Sequence, residues 1–174
     1  MLVYPFTAEG EVIPTSQRPN ILARVSGSVD PVSSSAFTVR QTALSNCTEK
    51  DVLVRFMSAM YAANLYLHNP TKKTCSLRAI GQQLNLSATV AQLEYNTATA
   101  IDTGEVSLGG NFTVSQMGLL NVIAVREEFG GFSSLPSDFN FTAAIAPGEG
   151  QLIDYSIRDL AVAGLKKYLL KAAC

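Results

Sequence analysis

The hydrophobic pattern changes period partway along the chain. Across residues 51–70, DVLVRFMSAMYAANLYLHNP, apolar residues return at helical spacing. Val52, Phe56, Ala59, Ala63 and Tyr66 or Leu67 form one stripe. Leu53, Met57, Met60 and Leu65 widen it beyond that of an ordinary surface helix. This predicts a long helix covered on two sides, with Thr48 as its cap and Asp51 three residues on, in capping-box spacing. Helical periodicity continues over 74–84, then from a Ser87 cap to about 97, then over 113–129 with Met117, Leu120, Ile123 and Ala124 as its buried stripe, and finally over 152–170. Gly130-Gly131 is a natural stop for the third of these. Between it and the last helix, residues 132–150 show no period and carry two prolines and three phenylalanines.

Upstream the period differs. MLVYPF at 1–6, ILARV at 21–25 and AFTVR at 36–40 are short runs rich in β-branched and aromatic residues, the grammar of strands. A helical turn at 7–11 and the turn-rich stretch SGSVDPVSSS at 26–35 separate them. Strands first and helices after predict an α/β fold, built as a single partial domain over 1–174. Residues 1–46 supply strands and loops of one lobe, and 47–174 the helical C-terminal part. A sheet of only three strands reads as a portion of a larger one. The apolar run after Met1 has no polar lead-in, so the chain is expected to start inside a longer protein. An uncovered sheet edge then predicts self-association.

Composition narrows the function classes. The chain has 174 residues, is 47% hydrophobic and 16% charged, and has net charge −1. A basic block is missing, which argues against nucleic acid as a partner. The lysines at 166, 167 and 171 read as cations near a helix end. No apolar run approaches the roughly 20 residues of a membrane span, and the N-terminus lacks the basic and small-residue features of a signal peptide. One histidine and three cysteines in no ligand spacing argue against a zinc site, and no cofactor is implied. His68 reads as a surface histidine at a helix end. Asp154, Tyr155, Ser156, Arg158 and Asp159 read as capping and surface ion pairs.

Four Asn-x-Ser/Thr triplets begin at Asn46, Asn85, Asn111 and Asn140. They predict an N-glycosylated, secreted protein, although the same residue types also serve as helix caps. Cys47 and Cys75 bracket the long helix. A helix of about 20 residues spans about 30 Å. A bridge between them therefore requires the chain to fold back until the Cα atoms lie within about 7 Å. Cys174 is then left over, with its partner sought elsewhere.

The order of these elements resembles the C-terminal half of type II periplasmic-binding-protein-like folds, in the branch of sulfonate, nitrate and thiamine-pyrimidine binding proteins. The residues that carry the likeness are Tyr4-Pro5-Phe6, Ile21-Leu22-Ala23-Arg24 and Phe37-Thr38-Val39-Arg40 at strand ends. Arg55-Phe56-Met57-Ser58-Ala59, Ala63-Asn64-Leu65-Tyr66-Leu67 and Asn69-Pro70 follow in the long helix. Leu84-Asn85-Leu86-Ser87 and Thr103-Gly104-Glu105 come after it. The sequons point to a secreted eukaryotic, fungal, relative. The resemblance implies a non-catalytic binder of a polar or anionic small molecule held between two lobes, the N-terminal lobe being a missing companion. Tyr4 and Phe6 would line that cleft beyond a strand end. Ser33, Ser34 and Ser35 would offer hydroxyls and N–H groups to an anionic head group, and Arg40 would pair with it. Plainer roles are core aromatics, a solvated turn and an ion pair with a neighbouring acid. Two alternatives remain: a structural or interaction domain without a ligand, and an enzyme like the thiamine-pyrimidine synthases. Those enzymes use pyridoxal phosphate and a cysteine-rich loop that this chain lacks.

Overall fold

The computed structural model describes residues 6–18, 37–100 and 112–168. These are 64% helical and form no sheet, so the expected α/β two-lobed architecture is not the fold of this chain. Eight α-helices follow in order: α1 Phe6–Glu11, α2 Gln41–Ser45, α3 Cys47–Leu67, α4 Lys73–Leu84, α5 Ala88–Ala98, α6 Gln116–Glu128, α7 Phe141–Ala144 and α8 Ser156–Tyr168. A 3-10 turn, Pro70–Lys72, leads into α4. Among the described residues the one β-type pairing is an isolated parallel bridge between Pro147 and Ile153.

The strands expected at 1–6 and 21–25 lie outside the described residues, except that Phe6 opens α1 instead of ending a strand. Residues 37–40 can be compared directly, and they form no strand. A run such as AFTVR favours a pleated, half-buried surface only where a partner strand exists. Here Phe37 sets its ring edge-on to Phe56 of α3, with centroids 5.4 Å apart, and Arg40 passes the backbone into α2.

The described residues fall into two compact units. One comprises 6–18 with 60–100, the other 37–59 with 112–168, and α3 supplies residues to both. In the first unit α4 and α5 form a helical hairpin, with α1 packed on α5. The turn follows from the sequence. Asn85 takes the left-handed conformation (φ 54°), which asparagine tolerates better than most residues. Leu86 N–H then donates to Gly81 O at 2.9 Å. Ser87 caps α5, its Oγ accepting from Val90 N–H. The seam holds Val90, Ala91 and Tyr95, all buried. Tyr95 Oη donates to Leu67 O at 2.6 Å, which satisfies a carbonyl at the end of α3.

In the second unit the buried residues are Ala43, Ser58, Gly118, Ile145, Ile153, Ile157 and Ala161. Ser58 on α3 and Ala161 on α8 are both fully buried. Ser58 Oγ donates to Val54 O at 2.8 Å within its own helix and lies 3.4 Å from Ala161 O. Two small residues meet at this contact, and the hydroxyl is satisfied by its own helix. This inverts the expected face of the long helix. Val52 is 52% exposed and Phe56 46%, and Ala59 and Ala63 are exposed as well. The buried positions of α3 are Ser58 in this unit and Tyr61, Ala62 and Asn64 in the first. At the contact with α8 the packed residue is the small, polar Ser58 and not the bulky Val52 or Phe56. Met117 and Ala124 of α6 likewise lie exposed rather than in a buried stripe. The α3 cap also moves: Asn46 Oδ1, not Thr48, accepts from the N–H groups of Thr48 and Glu49 at 3.0 and 3.2 Å.

Candidate functional site

The expected ligand contacts do not assemble into a site among the described residues. Tyr4, Ser33, Ser34 and Ser35 lie outside them. Phe6 is the first residue of a helix, and Arg40 is exposed ahead of α2, where its side chain caps nothing. The pairing of Cys47 with Cys75 is not made. Cys47 is a free, exposed thiol, and Cys75 is disulfide-bonded to a partner outside the described residues. Of the sequon asparagines, Asn46, Asn85 and Asn140 are exposed, and Asn111 lies outside. Asn46 and Asn140 both cap helices through Oδ1, which leaves the nitrogen that would carry a glycan unused by the cap. His68 follows the last residue of α3, half-buried.

A different feature stands out in the second unit, in the aperiodic segment after α6. Helix α6 ends in a Schellman motif. Gly131 N–H donates to Arg126 O at 2.8 Å and Gly130 N–H to Glu127 O at 2.9 Å. Gly130 sits at φ +71°, where a side chain is strained. A Cβ at Gly131 would run into the Arg126 side chain, which folds across this position. Tight turns follow: Leu135 N–H donates to Phe132 O, and Phe139 N–H to Pro136 O. Asn140 then caps the short α7, its Oδ1 accepting from Ala143 N–H at 2.9 Å, and Gln116 of α6 donates to Ile145 O at 3.3 Å.

These turns gather three rings. Phe132 and Phe141 lie 4.9 Å apart, tilted by 52°, and Phe139 and Phe141 are also 4.9 Å apart, inclined by 69°. Tilted pairs of this kind are favoured by the ring quadrupole and leave corners instead of flat stacks. With Leu135 and Pro136 the rings wall a pocket of about 270 Å³. Its polar lining is Glu127, Ser133 and Ser137. The Arg126 guanidinium lies 5.4 Å from the Phe132 ring centre, within cation–π range. Phe139 remains 41% exposed, so the pocket opens to solvent.

This grouping offers apolar ring faces and one carboxylate. A nucleophile with an adjacent base is not present in it. Among the described residues no group of three or more His, Cys, Asp or Glu side chains is placed to hold a metal ion, and no helix is long and apolar enough to cross a membrane. Elsewhere in the unit, Asp154 closes the loop before α8. Its oxygens accept from Gly150 N–H and Ser156 N–H, each at 2.8 Å. Burial pushes this carboxyl up, but those bonds, the Ser156 side chain and the Lys50 charge outweigh it and hold it below the usual carboxylate range. Arg158 pairs with Asp159 at 2.7 Å and stacks over Tyr155 at 3.8 Å, as expected for capping and ion pairs at a helix start.

No family model, curated protein or solved structure matches the chain. Sequence reasoning noted three phenylalanines in this stretch but assigned them no site. The available signal was their density in a segment with no period to bury them.

Proposed function

We propose that this chain is a non-catalytic, small-molecule-binding module whose ligand seat is the phenylalanine-lined pocket after α6. The observation that carries the reading is the pocket: tilted rings 4.9 Å apart, a few polar groups and an open mouth. Ligand sites are concave, combine apolar walls with a few placed polar groups and span about 300–1,000 Å³; this one has aromatic walls, but it is open and its accessible lining is more polar than apolar. At about 270 Å³ this pocket suits a compact ligand or head group. The two-lobed cleft has no part in the reading.

The test is a titration of the full chain with compact cations, anions and neutral alcohols, followed through the ring resonances of Phe132, Phe139 and Phe141. Saturable shifts centred on those rings are expected with at least one class, together with a thermal stabilisation that grows with ligand concentration. Rings that respond to no class would overturn the proposal. Secretion and N-glycosylation belong to the same reading. They are supported by the exposed Asn46, Asn85 and Asn140 and by a disulfide at Cys75. Glycosidase treatment of protein made in a eukaryotic secretory host should lower its mass, and an unchanged mass would remove this part.

A second reading has its own observation. Phe37 is 62% exposed beside Phe56 and Val52, an apolar patch of the kind that marks interaction surfaces. It supports the self-association expected above, on different ground from a sheet edge. Light scattering should show a mass that rises with concentration and falls back in Phe56→Glu. A constant monomer mass would exclude it.

A further inference from the structure

We infer that the pocket selects an organic cation, namely a quaternary or fully methylated ammonium group, over anions and neutral molecules of the same shape. The inference rests on the pocket being a ligand seat and adds the chemistry of what it takes. The rings of Phe132 and Phe139 both pack on Phe141, at 52° and 69°, and the surface these contacts leave uncovered borders one hollow. The face of an aromatic ring carries partial negative charge and attracts a cation within about 6 Å. The molecule already uses this chemistry here, since the Arg126 guanidinium lies 5.4 Å from Phe132. One face of that ring is already taken by Arg126, so a ligand cation would rest chiefly on Phe141 and on Phe139, which is 41% exposed.

Charge at the pocket has the matching sign. Glu127 is the charged residue of the lining. It sits in the last turn of α6, a helix of 13 residues whose carbonyl end carries partial negative charge. Glu128 and Asp138, both exposed, flank the segment, and Arg126 is the opposing cation, engaged on Phe132. An anion would meet Glu127 and the helix C-terminus together. A primary ammonium would draw its three N–H donors to the Glu127 carboxylate and the hydroxyls of Ser133 and Ser137, away from the rings. A methylated ammonium brings no N–H donor to satisfy, spreads its charge over methyl groups and can lie directly on the rings. The walls and the charge therefore favour the same ligand class.

The experiment compares choline and tetramethylammonium with 3,3-dimethylbutan-1-ol, the uncharged isostere of choline. Each is titrated into the full chain while the phenylalanine ring resonances are followed. Choline is expected to shift the rings of Phe132, Phe139 and Phe141, with the isostere at least about tenfold weaker. Glu127→Gln, at an exposed position, should weaken choline roughly two- to fivefold without altering the isostere. Phe139→Leu keeps the apolar volume and removes a ring face, so it should weaken choline and spare the isostere. Circular dichroism of both variants checks that the helices persist.

Equal binding of choline and its isostere would overturn the inference while leaving the pocket a ligand seat. So would ring shifts produced by acetate or an alcohol and not by either cation. Rings unmoved by cations, anions and alcohols alike would overturn this inference and the proposed function together.

Discussion

The α4–α5 hairpin and the segment from Gly130 to Ile145 use aromatic residues in opposite ways. In the hairpin, Tyr95 sits in a helix, is buried, and spends its hydroxyl on Leu67 O. After α6, Phe132, Phe139 and Phe141 sit in turns and at a helix start, only partly covered, and pack chiefly on one another. The first arrangement is what a ring does when it stabilises a core. The second leaves ring surface facing solvent, a costly use of an aromatic side chain unless something else covers it. The difference separates an aromatic that holds the fold from aromatics that leave ring surface uncovered.

The largest expected effect tests that separation directly. Tyr95→Ala removes a buried ring and leaves Leu67 O without its donor, and should cost about 3–5 kcal/mol in chemical denaturation. Tyr95→Phe keeps the ring and should lose only about 1 kcal/mol. Phe139→Ala, at a position already 41% exposed, should cost about 1 kcal/mol or less while weakening ligand binding. Similar costs for Tyr95→Ala and Phe139→Ala would erase the distinction, because the pocket rings would then be core.

A smaller effect concerns how the pocket segment is entered. Gly130→Ala puts a Cβ at φ +71° and should destabilise by about 1–2 kcal/mol. Gly131→Ala must push aside Arg126 at Cγ and Nε and also meets the Arg126 carbonyl oxygen, at 3.0 Å. It should be destabilising too, and displace Arg126 from the Phe132 ring, seen as a change in the Phe132 resonances. Unchanged stability in Gly130→Ala would mean that the Schellman geometry is not what fixes the turn.

Asp154 offers a comparison across pH. Its carboxyl is held below the usual range by the Gly150 and Ser156 bonds and by Lys50, against the opposing effect of burial. A depressed folded pKa gives stability that is present above the unfolded value, near 4, and lost as pH falls through the folded value. Asp154→Asn should therefore be less stable than the parent at neutral pH, by no more than about 1 kcal/mol because solvent screens this largely exposed carboxyl. The gap should narrow below roughly pH 4, read from denaturation midpoints across the range. A gap that stays constant down to strongly acid pH would assign the loss to shape and not to charge.

The same contrast governs what could be read in the sequence. Helices at 74–84 and from the Ser87 cap to about 97 were legible because period, cap and turn residue agreed, and the structure gives Lys73–Leu84 and Ala88–Ala98. The length of α3 was legible, but its buried face was not. Hydropathy assigns Phe56 and Val52 inward, whereas the packed contact uses Ser58 and Ala161, whose advantage is small size. Strand grammar at 36–40 misled because β propensity has meaning only beside a partner strand, and the described residues offer none. The pocket was illegible for a related reason. Phe132, Phe139 and Phe141 share no period, and what brings them together is a Schellman turn and two further tight turns.

The smallest effect compares two caps of the same chemistry. Ser87 Oγ accepts from Val90 N–H at the start of α5, an 11-residue helix whose buried seam anchors the hairpin. Asn140 Oδ1 accepts from Ala143 N–H at the start of α7, four residues long and bounded by the pocket rings. Removing a cap typically costs about 1 kcal/mol, within a range of about 0.5–2. Ser87→Ala should reach that full value, since fraying α5 loosens the first turn beside Val90 and Ala91. Asn140→Ala frays a helix that buries little, so it should cost at most about 0.5 kcal/mol. Its consequence should fall on geometry instead, because Phe139 and Phe141 flank the cap on either side and their 4.9 Å approach depends on it. The measurement is a pair of denaturation curves set against a pair of ligand titrations. Ser87→Ala should move the first and spare the second, and Asn140→Ala should do the reverse. If Asn140→Ala left binding intact, the rings would be held by their own packing and the cap would be incidental to the pocket.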